Sequence, residues 1–290
     1  MRNGAGSIVD LRHTASLPMR VGILALVVWL AAGILFLAFP GIDLEVSRLF
    51  FAGKRVFSGQ TIGWVKVARN VFVAVFFASI AGTLAGLILT RTGTRRWLHL
   101  RSRQWWYLAI CLAVGPGLVA NVGFKNHWGR ARPNEIVEFG GTKAFTPAIF
   151  PARQCASNCS FVSGEAAAAF VPFYAMGLLC PQWTTLLIAL GTLSGLTAGL
   201  VRVAQGGHFL SDVVFAGIFM LLTVVVAHLA LFRRRPTSDP FVAAAAPPRG
   251  AVPERSSERG ACVRSPMPSR TGRRLAAARH DRRARIGQRN

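Results

Sequence analysis

The chain has 290 residues, 52% of them hydrophobic and 16% charged, with a mean hydropathy of +0.41. Soluble domains carry about 25% charged residues, so the composition excludes an ordinary soluble domain and indicates a membrane protein. The 34 Lys and Arg against 11 Asp and Glu give a formal charge of +23, but the basic residues gather in hydrophilic segments between long apolar runs. That distribution argues against a nucleic-acid partner, and five Cys do not make a disulfide scaffold.

A bilayer core about 30 Å thick takes roughly 20 helical residues to cross. Residues 1–20 form a short N-terminal segment, and the first apolar run follows at 21–39. This run is longer than a signal-peptide core and no small-x-small cleavage site follows it, so it is expected to stay as a transmembrane helix. The second run is 71–90. The third, 105–124, holds Pro116 between Gly115 and Gly117, where a bend is expected. The fourth, 166–180, reaches spanning length when it begins near Ser160. The fifth is 183–201 and the sixth 213–232. The expectation is an all-α polytopic membrane protein, a bundle of six transmembrane helices over 21–232.

Residues 233–290 hold fifteen Arg among Ala, Pro, Gly and Ser. Such a segment buries too little apolar surface to fold and is expected to be a disordered tail. Six spans put both termini on one side, together with the five Arg of loop 91–104 and the cluster at 233–235. The positive-inside rule makes that side cytoplasmic.

On the opposite face three distant segments carry polar side chains beside the membrane, where such residues mark function. The first contains Lys125, His127, Arg130 and Arg132, the second Ser163, Gly164 and Glu165, and the third Arg202, His208 and Asp212. His208 and Asp212 are four residues apart, so at a helix start the carboxylate can reach an imidazole nitrogen, fix its tautomer and raise its basicity. Such a histidine can attack phosphorus; equally, a His-Asp pair can do no more than hold two helices together. The guanidinium and ammonium groups of Lys125, Arg130, Arg132 and Arg202 suit phosphate oxygens, and Arg202, at the end of an apolar run, either snorkels or meets an anion. Ser163 reads as an N-cap, which would leave the amides of Gly164 and Glu165 at a positive helix end suited to an anion.

Lys125 with six residues before Arg132-Pro133, then Ser163-Gly164, then Arg202 with five residues before His208 and three before Asp212 together resemble the type 2 phosphatidic acid phosphatase family, which shares its site with vanadium haloperoxidases. The resemblance covers roughly residues 20–232. It implies a six-helix membrane phosphatase in which Lys125, Arg132, Arg202, Ser163 and Gly164 bind phosphate. It further implies that His208 forms a phosphohistidine oriented by Asp212, and that water hydrolyses it without a metal or other cofactor.

The family's second motif usually reads Pro-Ser-Gly-His, and its histidine protonates the leaving group; here the sequence is Val162-Ser163-Gly164-Glu165. Glu165 can take that role if burial keeps it protonated, or it is simply a carboxylate placed well in a helix's first turn. His127 is a second candidate acid, and a noncatalytic relative that binds or moves phospholipids is the competing class. Cys155 and Cys159 are spaced to permit a disulfide. A cysteine pair there, followed directly by Ser-Phe-Val-Ser-Gly-Glu, looks like the lipid A phosphatase branch of Gram-negative bacteria. That branch implies a multi-pass inner-membrane enzyme with a periplasmic active site and lipid A or a precursor as substrate. Undecaprenyl pyrophosphate and glycerophospholipids would suit the same motifs. Oligomeric state is not legible.

Overall fold

The computed structural model describes residues 8–92 and 100–232. The expected tail at 233–290 lies outside the described residues, as do Arg95 and Arg96 of the first basic loop. Helix α1 runs Ile8–Ala38, starting thirteen residues before the apolar run that announces it. It stops at Phe39-Pro40, because proline has no N–H to continue the ladder. Helix α2, Gly41–Arg48, departs at 80° to the last turns of α1. A short antiparallel hairpin follows, β1 Phe51–Gly53 and β2 Val56–Phe57, with Phe51 opposite Phe57. Lys54 and Arg55 close it with φ of 51° and 64°, the backbone twist that two-residue hairpin turns require.

The one-turn α3, Ser58–Thr61, leads into α4, Gly63–Arg91. The apolar run placed this helix at 71–90, but it begins eight residues earlier: the long stems of Lys66 and Arg69 let charged residues sit in a helix otherwise apolar there. Helix α5, Ser102–Leu112, continues directly as a π-helix, Ala113–Lys125. Pro116, where a bend is expected, falls inside these thirteen residues of wider turns, a backbone that takes a proline more readily than an α-helix does. Helices α6, Gly164–Leu179, α7, Thr184–Ala204, and α8, Leu210–Phe232, complete the order.

The protein is mostly helical, with one two-stranded hairpin among the described residues. Among the described residues four helices are long and apolar enough to cross a membrane, Gly63–Arg91, Ser102–Lys125, Pro181–Ala204 and Leu210–Phe232, with a fifth if the bent pair Leu30–Ala38 and Gly41–Arg48 is one span. The expected six are therefore not all found. The fourth candidate, α6, has 16 residues, about 24 Å at 1.5 Å each, short of the full hydrocarbon thickness.

Helix α6 is the hub, packed against α4, α5, the π-helix, α7 and α8, and its Ala166, Ala167, Phe170, Val171 and Ala175 are buried. Helix α7 approaches its neighbours through glycines at every fourth position. A methyl group on Gly191 would fall 2.8 Å from the Tyr174 ring, on Gly195 2.3 Å from the Phe170 ring, and on Gly199 2.1 Å from a Val213 methyl. In lipid, where tails are as apolar as leucine, such close backbone approach is what gives helix pairs their dispersion energy. Above this core, Phe124 stacks on Phe219 at 4.6 Å and Trp128 on Phe161 at 4.9 Å, which seals the bundle below the polar end.

Candidate active site

The polar end is built where α2, α4, the π-helix, α6, α7 and α8 converge. Gly206 adopts φ +67° between α7 and α8, and a side chain there would meet the Phe57 ring at 2.4 Å. Only glycine allows this turn, and the turn delivers His208 into the interior, 1% exposed. Its Nδ1 lies 2.7 Å from the carbonyl oxygen of Ser160. A carbonyl can only accept, so Nδ1 carries the hydrogen and Nε2 keeps its lone pair in the neutral ring.

Asp212 stands one turn on, with Oδ2 3.6 Å from Nδ1, beyond a direct hydrogen bond. The expected His-Asp pair is thus indirect. Asp212 Oδ2 accepts from Ser160 Oγ at 2.5 Å and from the Phe209 amide at 2.9 Å, and so fixes the residue whose carbonyl holds His208. Burial lowers the His208 imidazole to about 4, against the opposing pull of Asp212. The ring is neutral at physiological pH, as a nucleophile must be.

Lys125 is the last residue of the π-helix. A methyl group on Gly164 would fall 3.1 Å from its Nζ and 2.9 Å from Asn121 Oδ1, so the missing side chain lets the ammonium lie over the first turn of α6. Ser163 caps α6 as expected, its Oγ accepting from the Ala166 amide at 3.4 Å. Its own amide donates to the Asp212 carbonyl at 3.1 Å, which ties α6 to α8. Arg202, in the last turn of α7, donates to Gln205 Oε1 at 2.5 Å. Lys125 interacts electrostatically with Arg132, Glu165, Arg202 and Asp212, and His208 with Asp212, Lys125 and Arg202. The three sequence segments therefore form one site.

Three expectations change. Arg130 does not face a phosphate. It is fully buried, with NH1 on Asp212 Oδ1 at 2.6 Å, NH2 on Asp43 Oδ2 at 2.7 Å and Nε on the Thr146 carbonyl at 2.9 Å. Its donors are consumed by the fold. His127 is exposed, with Nδ1 against the carbonyls of Val122 and Gly123 at 2.9 and 3.0 Å, a contact with its own helix end. Glu165 is no free acid: Arg69 grips its carboxylate with three contacts of 2.8–3.1 Å and Arg202 Nε lies 3.5 Å away. Two guanidinium groups on one carboxylate favour the ionised form.

Arg69 is the site residue that sequence reading passed over. It belongs to no motif and reads as one of several basic residues beside a helix. The early start of α4 is what carries it to Glu165.

Cys155 and Cys159 form a disulfide, with Cα atoms 5.6 Å apart. The small loop it closes serves the site directly. The carbonyl of Asn158 accepts from Arg132 NH2 at 2.8 Å, and the Cys159 amide donates to the Lys125 carbonyl at 3.0 Å. Replacing both cysteines by serine should raise KM for a phosphorylated lipid by about three- to tenfold with kcat nearly kept, since the loop contacts two cations of the site and not His208. Steady-state kinetics on the purified double variant checks this.

A neutral buried imidazole near Lys125 and Arg202, which adjoin Arg132 and Arg69, at the end of an apolar helix bundle, defines a membrane-embedded phosphatase, a hydrolase of phosphoric esters. Residues 104–236 match the PAP2 superfamily, and the chain belongs to it. It is 36% identical over 216 residues to the lipid A 4'-phosphatase of Francisella tularensis subsp. novicida, which spans 73% of this chain and 96% of that relative. It is also 35% identical over 218 residues to the lipid A 4'-phosphatase of Rhizobium leguminosarum, 70% of this chain and 92% of the relative. A lipid A 1-phosphatase of Rhizobium etli is 37% identical over 117 residues, 39% of this chain and 46% of the relative. No solved structure matches the chain.

Proposed function

We propose that this protein removes the 4'-phosphate of lipid A at the periplasmic face of a bacterial inner membrane, through a phosphohistidine on His208. The observation that carries the mechanism is the Ser160 carbonyl on Nδ1, which leaves Nε2 as the free nucleophile. Support for the substrate comes from the two lipid A 4'-phosphatases matched over nearly their whole length, against less than half for the 1-phosphatase. The topology that fits is six spans with α6 as the short fourth, both termini cytoplasmic, and the site on the side opposite the Arg-rich segments.

In the first half-reaction Lys125, Arg132 and Arg202 hold the phosphoryl oxygens, with the capped first turn of α6 at Ser163 and Gly164 beside them. The Nε2 lone pair bonds to phosphorus, the phosphorus–oxygen ester bond breaks, and the departing oxygen takes a proton from solvent. In the second half, water attacks phosphorus, the phosphorus–nitrogen bond breaks and its electron pair returns to Nε2. Glu165, ion-paired and ionised, has no proton to give, so it serves the second half by accepting one from the attacking water. The cations supply the charge stabilisation that metal ions supply in other phosphatases.

Glu165→Gln should then slow dephosphorylation by about 10²-fold and let a phosphoenzyme accumulate, visible after acid-free quenching with labelled substrate. Full activity with no accumulation would remove Glu165 from the mechanism. The function itself is tested by phosphate release from detergent-purified protein, with chelator present, on lipid A, undecaprenyl pyrophosphate and phosphatidic acid in parallel. Release confined to lipid A, at the 4' position, is the expected result. Binding of lipid without any release would instead favour the noncatalytic class.

A further inference from the structure

The buried side of His208 carries more charge than helix packing needs. Asp43, Arg130 and Asp212 are 1%, 0% and 0% exposed. Asp43 comes from α2, outside the segment that matches the superfamily. Its Oδ2 accepts from Arg130 NH2 at 2.7 Å and from Ser211 Oγ at 2.6 Å, and its Oδ1 accepts from the Ser211 amide at 2.9 Å. Arg130 NH2 and the Ser211 amide can only donate, and these contacts suit an ionised Asp43. Arg130 NH1 then reaches Asp212 Oδ1 and Ser211 Oγ, Asp212 holds Ser160, and the Ser160 carbonyl holds His208.

The count is two carboxylates against one guanidinium, a net charge of −1 on buried side chains beside a neutral imidazole. For structure alone this is unfavourable, because an Arg130–Asp212 pair by itself would already be neutral and an excess buried charge is costly. The reaction supplies a reason. When Nε2 bonds to phosphorus while Nδ1 keeps its hydrogen, the ring becomes a cation in a site with little water to solvate it. The cluster of Lys125, Arg132, Arg202 and Arg69 opposes that charge, and Asp212 alone is already matched by Arg130.

We propose that Asp43 is a positioning residue for phosphoryl transfer: through its ion pair with Arg130 it adds the second carboxylate that lets the His208 ring carry positive charge in the phosphoenzyme. The proposal rests on the phosphohistidine reading. It places part of the catalytic machinery in α2, at the elbow of the bent helix pair.

The test uses the full chain in detergent, with labelled substrate and rapid quenching, and reads the rate constant of phosphoenzyme formation, which does not depend on what fraction of molecules is folded. Asp43→Asn keeps the shape and removes the charge. It should lower that rate constant by about ten- to a hundredfold with KM changed less than about twofold. Ser211→Ala weakens the grip on Asp43 but keeps its charge, and should stay within about threefold of wild type. An unchanged rate constant in Asp43→Asn overturns the proposal. So does an equally large fall in Ser211→Ala, which would assign the effect to geometry rather than charge, and this second variant decides the matter alone if Asp43→Asn does not fold. If the wild-type protein forms no phosphoenzyme while His208→Ala is inactive as well, the phosphohistidine reading fails and takes this proposal with it. A normal wild-type phosphoenzyme isolates failure to Asp43.

Discussion

His208→Ala should lower phosphate release by about 10⁴-fold or more, because the Nε2 lone pair that forms the covalent intermediate is gone. The variant should still bind lipid, since Lys125, Arg132 and Arg202 are untouched, so KM or direct binding should change little. Loss of release with retained binding, measured on protein whose thermal unfolding matches wild type, is the expected outcome; release at the wild-type rate would end the mechanism. The pH profile follows from the same residue. Burial holds His208 at about 4, below the usual 6.5, so the free enzyme keeps its lone pair down to that region. The acid limb of kcat/KM that this group controls should therefore fall near pH 4 rather than 6 to 7. The stability consequence has the same sign. The unfolded chain binds this proton more readily than the folded one, so the contribution of neutral His208 is complete above about pH 6.5 and is lost as pH falls toward 4.

Asp212→Ala should damage both fold and rate. It leaves Arg130 NH1, Ser160 Oγ and the Phe209 amide without their carboxylate. Arg130 stays paired with Asp43, so the loss is that of buried donors without their acceptor, about 1–3 kcal/mol each, visible as a lower unfolding temperature in detergent. Asp212→Asn separates the two effects. It restores most of the shape and should recover much of the stability, yet the rate should remain about 10²- to 10³-fold down, because the negative charge beside the ring is gone. Recovery of rate and stability together would reduce Asp212 to a structural role.

Much of the site was legible because phosphate chemistry forces recognisable residues into short spacings: Lys125 with Arg132, Ser163 with Gly164, and Arg202 with His208 and Asp212 all converge as the motifs imply. What escaped shares one cause: partners that meet only in three dimensions leave no local pattern. Asp43 is a single acidic residue after an apolar run, 168 positions from Ser211, and Arg69 looks like a flanking charge 96 positions from Glu165. Arg130 failed in the opposite direction, since its neighbours in sequence belong to the phosphate-binding motif while its neighbours in space are two buried carboxylates. The helices themselves were legible from hydropathy, but their ends were not: α4 begins among residues whose charged tips mask an apolar face, and the widened turns after Leu112 have no sequence period of their own. Span number was the least legible of all, because α6 is buried by other helices and so need not match the membrane's thickness by itself.

The three glycines along α7 act as a ruler. Gly191, Gly195 and Gly199 each receive a ring or a branched side chain, and Arg202 follows less than one turn beyond the last of them. Sliding the helix by a single residue would drive bulkier side chains into all three sockets at once. The depth of the Arg202 guanidinium is therefore gauged from the middle of the helix bundle, some distance below, and does not rely on the loops around the mouth.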